Sequence, residues 1–194
     1  MRTMTLFWAA ALGAAIIGVT LFSWGQPLIS SSGQVRLWVG SVYSGENSQH
    51  IADWYTLSHI VHGMLIVVIG RWVFPRAGMA ALFAVAVLTG VAWELIEHTD
   101  FVLGQFRATT LYRGYLGDSV LNAVCDYLWM LGGFVVAWAV GQVWALVLIA
   151  GLEIVAAAIG RDSLALTTLM LVYPIEAIEE WQQELNPNPI PDPQ

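Results

Sequence analysis

Residues 119–140 read SVLNAVCDYLWMLGGFVVAWAV, an unbroken apolar stretch in which Asp126 is the only charged side chain. A bilayer core about 30 Å thick calls for roughly 20 predominantly apolar residues in a crossing helix. Helix is required because there is no water inside to satisfy open backbone groups. The stretch therefore reads as a transmembrane helix, and the chain around it repeats the pattern. Windows at 4–24, 56–74, 77–96 and 142–160 have the same length and character, while Leu164–Tyr173 is shorter and borderline. The expected fold class is all-α, a polytopic membrane helical bundle of five to six transmembrane helices. Residues 1–174 would form its single domain and residues 175–194 an acidic, proline-rich tail.

Composition agrees: of 194 residues, 58% are hydrophobic and 11% charged, with a mean hydropathy of +0.68. The first window follows Arg2, as a signal peptide would, but no small-residue cleavage pattern follows Val19 to Trp24, so it reads as a retained anchor. A net charge of -7 with no lysine leaves no basic stripe to neutralise phosphates, which argues against nucleic acid as a partner. Cys125 is the only cysteine, which rules out an internal disulfide and a cysteine metal cluster. It reads as a small buried hydrophobe.

Alternating the spans places the N-terminus, the Arg71–Arg76 turn and the Gly141-Gln142 turn on one side. Residues 25–55, 97–118 and Arg161-Asp162 fall on the other. Arg2, Arg71 and Arg76 mark the first side as cytoplasmic by the positive-inside tendency.

On the other side the polar residues gather. His59 and His62 are three apart at the start of the second window, a spacing that suits two nitrogens on one metal or one ligand and its support. Hydrogen bonding to carbonyls or carboxylates is the structural alternative, with Asp53 or Thr56 capping the helix. Glu94, Glu97 and His98 share one face at the end of the third window, where acids oppose the helix dipole by roughly 0.3–1 kcal/mol each. An arginine (Arg107, Arg113 or Arg161), protonation or a metal is expected to compensate them. Asp118, Asn122 and Asp126 recur every four residues and form one ridge on the fourth span, with Asp118 read as its N-cap. With Arg161 and Asp162 these residues are expected to form a single polar cluster, since ionisable groups inside a membrane are by default functional.

Gly133, Ala137 and Gly141 have the spacing that lets membrane helices approach closely. Tryptophans near the span ends read as interfacial anchors. In the tail, residues 175–181 form a short acidic amphipathic stretch, and Glu179, Glu180, Trp181, Pro187 and Pro189 are candidates for docking onto a partner. The sequence contains no phosphate loop, nucleophile elbow, H-E-x-x-H helix or internal repeat.

In order, SGENSQH (44–50), WYTLSHIVHG (54–63), WELIE (93–97), GDSVLN (117–122) and Arg161-Asp162 resemble a bacterial family of small multi-pass inner-membrane proteins of uncharacterised activity. The resemblance runs from about residue 25 to Trp181 and implies an inner-membrane location with no stated activity. A looser likeness to VanZ-like membrane proteins rests on acids and amides at helix starts. The chain departs from the family pattern at Ser30-Ser31-Ser32, where a C-x-C pair is expected, and at Val39, where histidine is. His98, Ser163 and Thr167 stand where asparagines are expected.

Three roles follow. The preferred one is an accessory or structural subunit of a larger membrane complex, with the bilayer and that complex as its partners. The second is a metal-dependent membrane hydrolase acting on a lipid-linked or phosphorylated substrate. In it His59, His62, Glu94 and Glu97, with Asp118, hold a divalent metal. The third is haem or chlorophyll-type pigment binding through His59 or His62.

Overall fold

The computed structural model describes residues 3–109 and 115–187; Arg2, Arg113 and Pro189 lie outside them. Among the described residues the regular elements are all helices, without strands. Five helices are long and apolar enough to cross a membrane. These are α1 (Thr3–Ser23), α2 (Trp54–Val73), α3 (Met79–Glu97), α5 (Val120–Val140) and α6 (Gln142–Val155, extended to Gly160 by a π-helical turn). A short helix not expected from the sequence, α4 (Asp100–Thr109), follows α3; α7 (Leu164–Val172) and α8 (Glu176–Gln183) complete the chain.

The borderline sixth window is not a crossing. As α7 it has 9 residues, or about 13.5 Å of helix, less than half a bilayer core. After Tyr173-Pro174 the chain turns into α8, whose end returns to where α7 began. There the Arg161 guanidinium donates to the Trp181 carbonyl at 3.0 Å and the Gln182 amide donates to the Arg161 carbonyl at 3.0 Å. The two short helices thus form a hairpin closed on Arg161.

Side-chain caps open α2, α5 and α7. Asp53 and Thr56 form a capping box at the start of α2: the Asp53 carboxylate accepts from the Tyr55 amide at 2.8 Å, and the Thr56 hydroxyl accepts from the Asp53 amide at 3.0 Å. Such a cap contributes about 1 kcal/mol. On α5 the N-cap is Ser119, whose hydroxyl accepts from the Asn122 amide at 3.1 Å. Asp118, the expected cap, is displaced by one residue because the neighbouring serine is equally short and lets Asp118 turn inward. Inside α6, Glu153 accepts from the Leu164 and Ala165 amides at 3.1 and 3.0 Å, so a carboxylate at membrane depth caps α7.

The bundle centres on α2 against α5, with α1, α3 and α6 around them. A Cβ on Gly63 would collide with the Met130 carbonyl, and one on Gly133 with the Ile60 carbonyl. The two backbones therefore touch through reciprocal glycines, as small residues permit in membranes. Of the predicted stripe, Gly133 and Ala137 are packed, whereas Gly141 ends α5 at φ +83° with nothing beside it. Tyr127, Met130 and Phe134 fill the space around the crossing with Ile17, Leu21 and Val67. Trp72 and Trp144 are exposed, as anchors would be, but Trp138 stacks on Phe134 beneath Arg71. Cys125 is half-buried.

The segment between α1 and α2 is stitched to the start of α5. The Ser119, Val120 and Leu121 amides donate to the carbonyls of Ser48, Pro27 and Leu28, and the Asn122 side chain donates to the His50 carbonyl at 2.8 Å. His50 is pinned in turn, its Nδ1 accepting from the Arg36 amide while its Nε2 meets Glu46 at 2.9 Å. This segment roofs the bundle.

Gly63→Ala and Gly133→Ala are each expected to destabilise the protein by about 1–3 kcal/mol through overpacking. The measurement is the thermal midpoint in detergent, with Gly132→Ala, which meets nothing within 4 Å, as the neutral control.

Candidate functional site

Beneath the roof is a chamber of about 70 Å³, room for roughly five waters or a hydrated ion. The helices deliver its polar groups as the chain path requires: α2 brings Ser58, His59 and His62, α3 ends in Glu97, Asp118 precedes α5 and Asp126 lies about two turns inside it. Tyr55 and Tyr115 also line it.

Glu94, Glu97 and Asp118 each present a carboxylate oxygen within 4.8 Å of the others. Glu94 is 1% exposed, and neither its Oε2 nor Glu97 Oε2 finds a hydrogen-bond partner among the described residues. An acceptor buried without a donor costs about 1–3 kcal/mol, more when it is charged. The expected arginines do not relieve it. Arg107 donates to the Tyr115 carbonyl at 2.7 Å, Arg161 holds Glu184 and stacks on Trp181, and Arg113 lies outside the described residues.

His59 stands between two acids, its Nδ1 at 3.6 Å from Glu94 Oε1 and its Nε2 at 3.9 Å from Asp126 Oδ2. Both distances exceed a hydrogen bond, so both nitrogens are within reach of a small species in the chamber. Asp126 is steadied from behind by the Thr56 hydroxyl at 3.2 Å.

His98 is not a ligand. Its Nδ1 lies 2.7 Å from the Glu94 carbonyl, to which only a protonated nitrogen can donate, and its Nε2 accepts from the Asp118 amide at 2.9 Å. It is thus a neutral imidazole bracing Glu94 against Asp118. Its 3.9 Å approach to the Asp118 carboxylate is a consequence of that brace and not an ion pair.

The expected single cluster therefore divides. His59, Glu94, Glu97, Asp118 and Asp126 converge; His98 and Asn122 serve as framework; Arg161 and Asp162 belong to the α7–α8 hairpin. Asp162 touches the chamber wall indirectly, by accepting the Tyr55 hydroxyl at 3.2 Å. Of the expected metal set, Glu94, Glu97 and Asp118 form the carboxylate group, His59 stands 3.6 Å from Glu94, and His62 lines the chamber without joining them. Trp181, expected to dock a partner, lies half-buried against Arg161 of its own chain.

Sequence reasoning did not identify Tyr55 or Tyr115. Tyr55 lies inside a motif already singled out, whereas Tyr115 sits in a loop with no periodicity to mark it. Burial and the adjacent Asp118, to which its hydroxyl donates, raise the Tyr115 phenol above its ordinary range. Burial also raises the Asp118 carboxyl, against the opposing pull of the Tyr115 hydroxyl that donates to it. Asp53 beneath them is pushed up to about 6 by burial, although the Ser48 and Tyr55 amides favour its charge.

The family model described as "Protein of unknown function (DUF2585)" matches residues 21–184. The chain belongs to the DUF2585 family. A "UPF0314 protein" of Paracoccus denitrificans is 42% identical over 95% of each chain. Others from Sphingopyxis alaskensis and Novosphingobium aromaticivorans are 41% and 40% identical, over 90% of this chain and 92% and 90% of theirs. No solved structure matches. Membership in DUF2585 thus brings a bacterial setting and no stated chemistry, and the site itself has to supply the chemical argument.

Asp162 offers a pH test of the hairpin's attachment. Burial pushes its carboxyl up to about 6, opposed by the Ser163 amide and the Tyr55 hydroxyl. The folded state holds this proton more tightly than the unfolded chain, whose value is about 3.9. Its contribution to stability is therefore present below about pH 4 and lost as pH rises through about 6. Asp162→Asn is expected to melt higher than the native protein at about pH 8 and nearly level with it at about pH 4.5. An equal offset at both values would refute this.

Proposed function

We propose that the protein is a divalent-metal-dependent hydrolase of phosphate esters, set in the bacterial inner membrane with its N-terminus cytoplasmic and the chamber at the opposite face. The observation that carries this reading is the buried, partnerless Glu94 Oε2 beside the oxygens of Glu97 and Asp118. Three carboxylates this close call for a proton or a counter-charge, and no described arginine supplies the charge.

The donors define the class of ion. All three are hard oxygens, which suit Mg²⁺ or Mn²⁺ and leave positions for water and for phosphate oxygens. Such an ion would supply neutralisation of the acids, attraction for an anionic phosphate and polarisation of a bound water. The chain's own groups do the rest. Glu94, Glu97 and Asp118 hold the ion, His98 keeps Glu94 and Asp118 apart, and His59, with Asp126 behind it, handles the proton. In hydrolysis the water oxygen joins phosphorus as the phosphorus–oxygen ester bond breaks. One water proton passes to His59 and from there to the departing alkoxide, yielding alcohol and inorganic phosphate.

The accessory role drew on the family-type polar residues that the chain lacks and on its proline-rich tail. Of the segment after Pro174, α8 is held within the chain by Arg161 and by the Tyr43 hydroxyl, which donates to the Gln182 carbonyl, while the residues beyond 187 lie outside those described. The pigment reading gains no specific observation in its favour.

Purified protein titrated with Mn²⁺ and followed by electron paramagnetic resonance should bind one ion, with affinity falling roughly tenfold or more in Glu94→Gln, Glu97→Gln and Asp118→Asn. Phosphate release from a phosphomonoester in mixed micelles should require the metal and fall about 10²–10⁴-fold in His59→Gln, with Mn²⁺ binding retained. Mn²⁺ binding that is absent, or indifferent to the three carboxamide variants, sinks the proposal.

A further inference from the structure

The chamber has two kinds of wall. Toward the aqueous face Val42, Asn47 and Ser48 of the roof, Phe106 of α4 and Asp118 are buried, while Tyr55, Glu97 and Tyr115 keep some exposure. The lining residues that keep some exposure include His62 on α2, Trp93 on α3, and Leu164 and Thr167 on α7.

Depth decides what that exposure faces. His62 is eight residues beyond Trp54, about 12 Å along a helix that crosses a core about 30 Å thick. Trp93 lies one turn inside the end of α3. A half-exposed side chain at such depth in an outer helix face meets acyl chains and not water. α3 and α7 each pack on α2 without extended packing on each other, so the space between them is a cleft with His62 at its floor. The same two helices carry exposed apolar side chains: Ile96 on α3, and Leu169 and Val172 on α7, at 50%, 40% and 81% exposure.

Resting on the metal reading above, we infer that the substrate is a membrane lipid with a phosphomonoester headgroup. It slides in from the bilayer between α3 and α7, its headgroup reaching Glu94, Glu97 and Asp118 while its tail stays in lipid. Leu164 and Trp93 are the lips of this entrance and select for the apolar tail. They take no part in the chemistry.

The test uses the full chain in phosphatidylcholine vesicles with Mn²⁺ and two photoreactive probes, a diazirine-bearing phosphatidic acid and a diazirine-bearing short-chain water-soluble phosphomonoester. Adducts are mapped by mass spectrometry. The lipid probe should label Trp93, Leu164 or Thr167 well above other lipid-facing residues. Leu164→Trp, which plugs the cleft, should reduce that labelling at least tenfold, whereas Leu148→Trp on the outer face of α6 should leave it unchanged. Mn²⁺ binding should be the same in all three proteins. Even labelling along the lipid-facing helices, labelling that survives the plug, or equal labelling by the soluble ester overturns lateral entry while leaving the metal reading intact. Failure to bind Mn²⁺ overturns the metal reading instead, and the labelling pattern still reports on the cleft.

Discussion

The structure depends on one close approach, that of α2 to α5 through Gly63 and Gly133. Side chains normally hold membrane helices about 8–10 Å apart. Here each backbone meets the other's carbonyl where a Cβ would stand. Everything polar follows from this. His59 lies one turn from Gly63, and Asp126 two turns from Gly133, so the crossing sets how near the imidazole comes to the carboxylate. α3 and α6 then pack around the pair, and α3 carries Glu94 and Glu97 to the same end.

The parts of the fold set by the bilayer were legible because the bilayer leaves little choice. An apolar run of sufficient length must be helix, and the helices of residues 54–73, 79–97 and 120–140 stand within about two residues of the windows read for them. Asp53 and Thr56 were legible as a cap because capping is local chemistry. Leu164–Tyr173 was ambiguous for a physical reason: apolar character shows that a segment avoids water, but only length shows that it crosses.

The site was legible in location and less so in membership. Counting crossings places residues 59, 94, 97 and 118 at one face, but a contact depends on rotation as well as height. His62 follows His59 by three residues, which turns it about 60° around α2 and one turn deeper. That difference takes it from the carboxylates to the cleft. Asp118, read both as a cap and as a member of the cluster, keeps only the second role, because Ser119 caps instead. His98 read as a member of the polar cluster because its spacing from Glu94 is helical, and only the amide of Asp118, brought round through α4, shows that both of its nitrogens are engaged. No spacing rule reports a partner that arrives from another segment.

That imidazole has one more consequence. His98 is wedged between the carbonyl of Glu94 and the amide of Asp118. Two of the three acids thus hang from opposite sides of one rigid aromatic ring, which acts as a caliper. The gap between the Glu94 carbonyl and the Asp118 amide is set by the width of a five-membered ring, although one belongs to a spanning helix and the other to a loop. Thermal motion that tilts α3 carries the Asp118 loop with it, so the pair moves as a body and keeps its bite. A site tuned to the radius of a particular ion could stay tuned in a soft and fluctuating bilayer by this means, without a stiff scaffold around it.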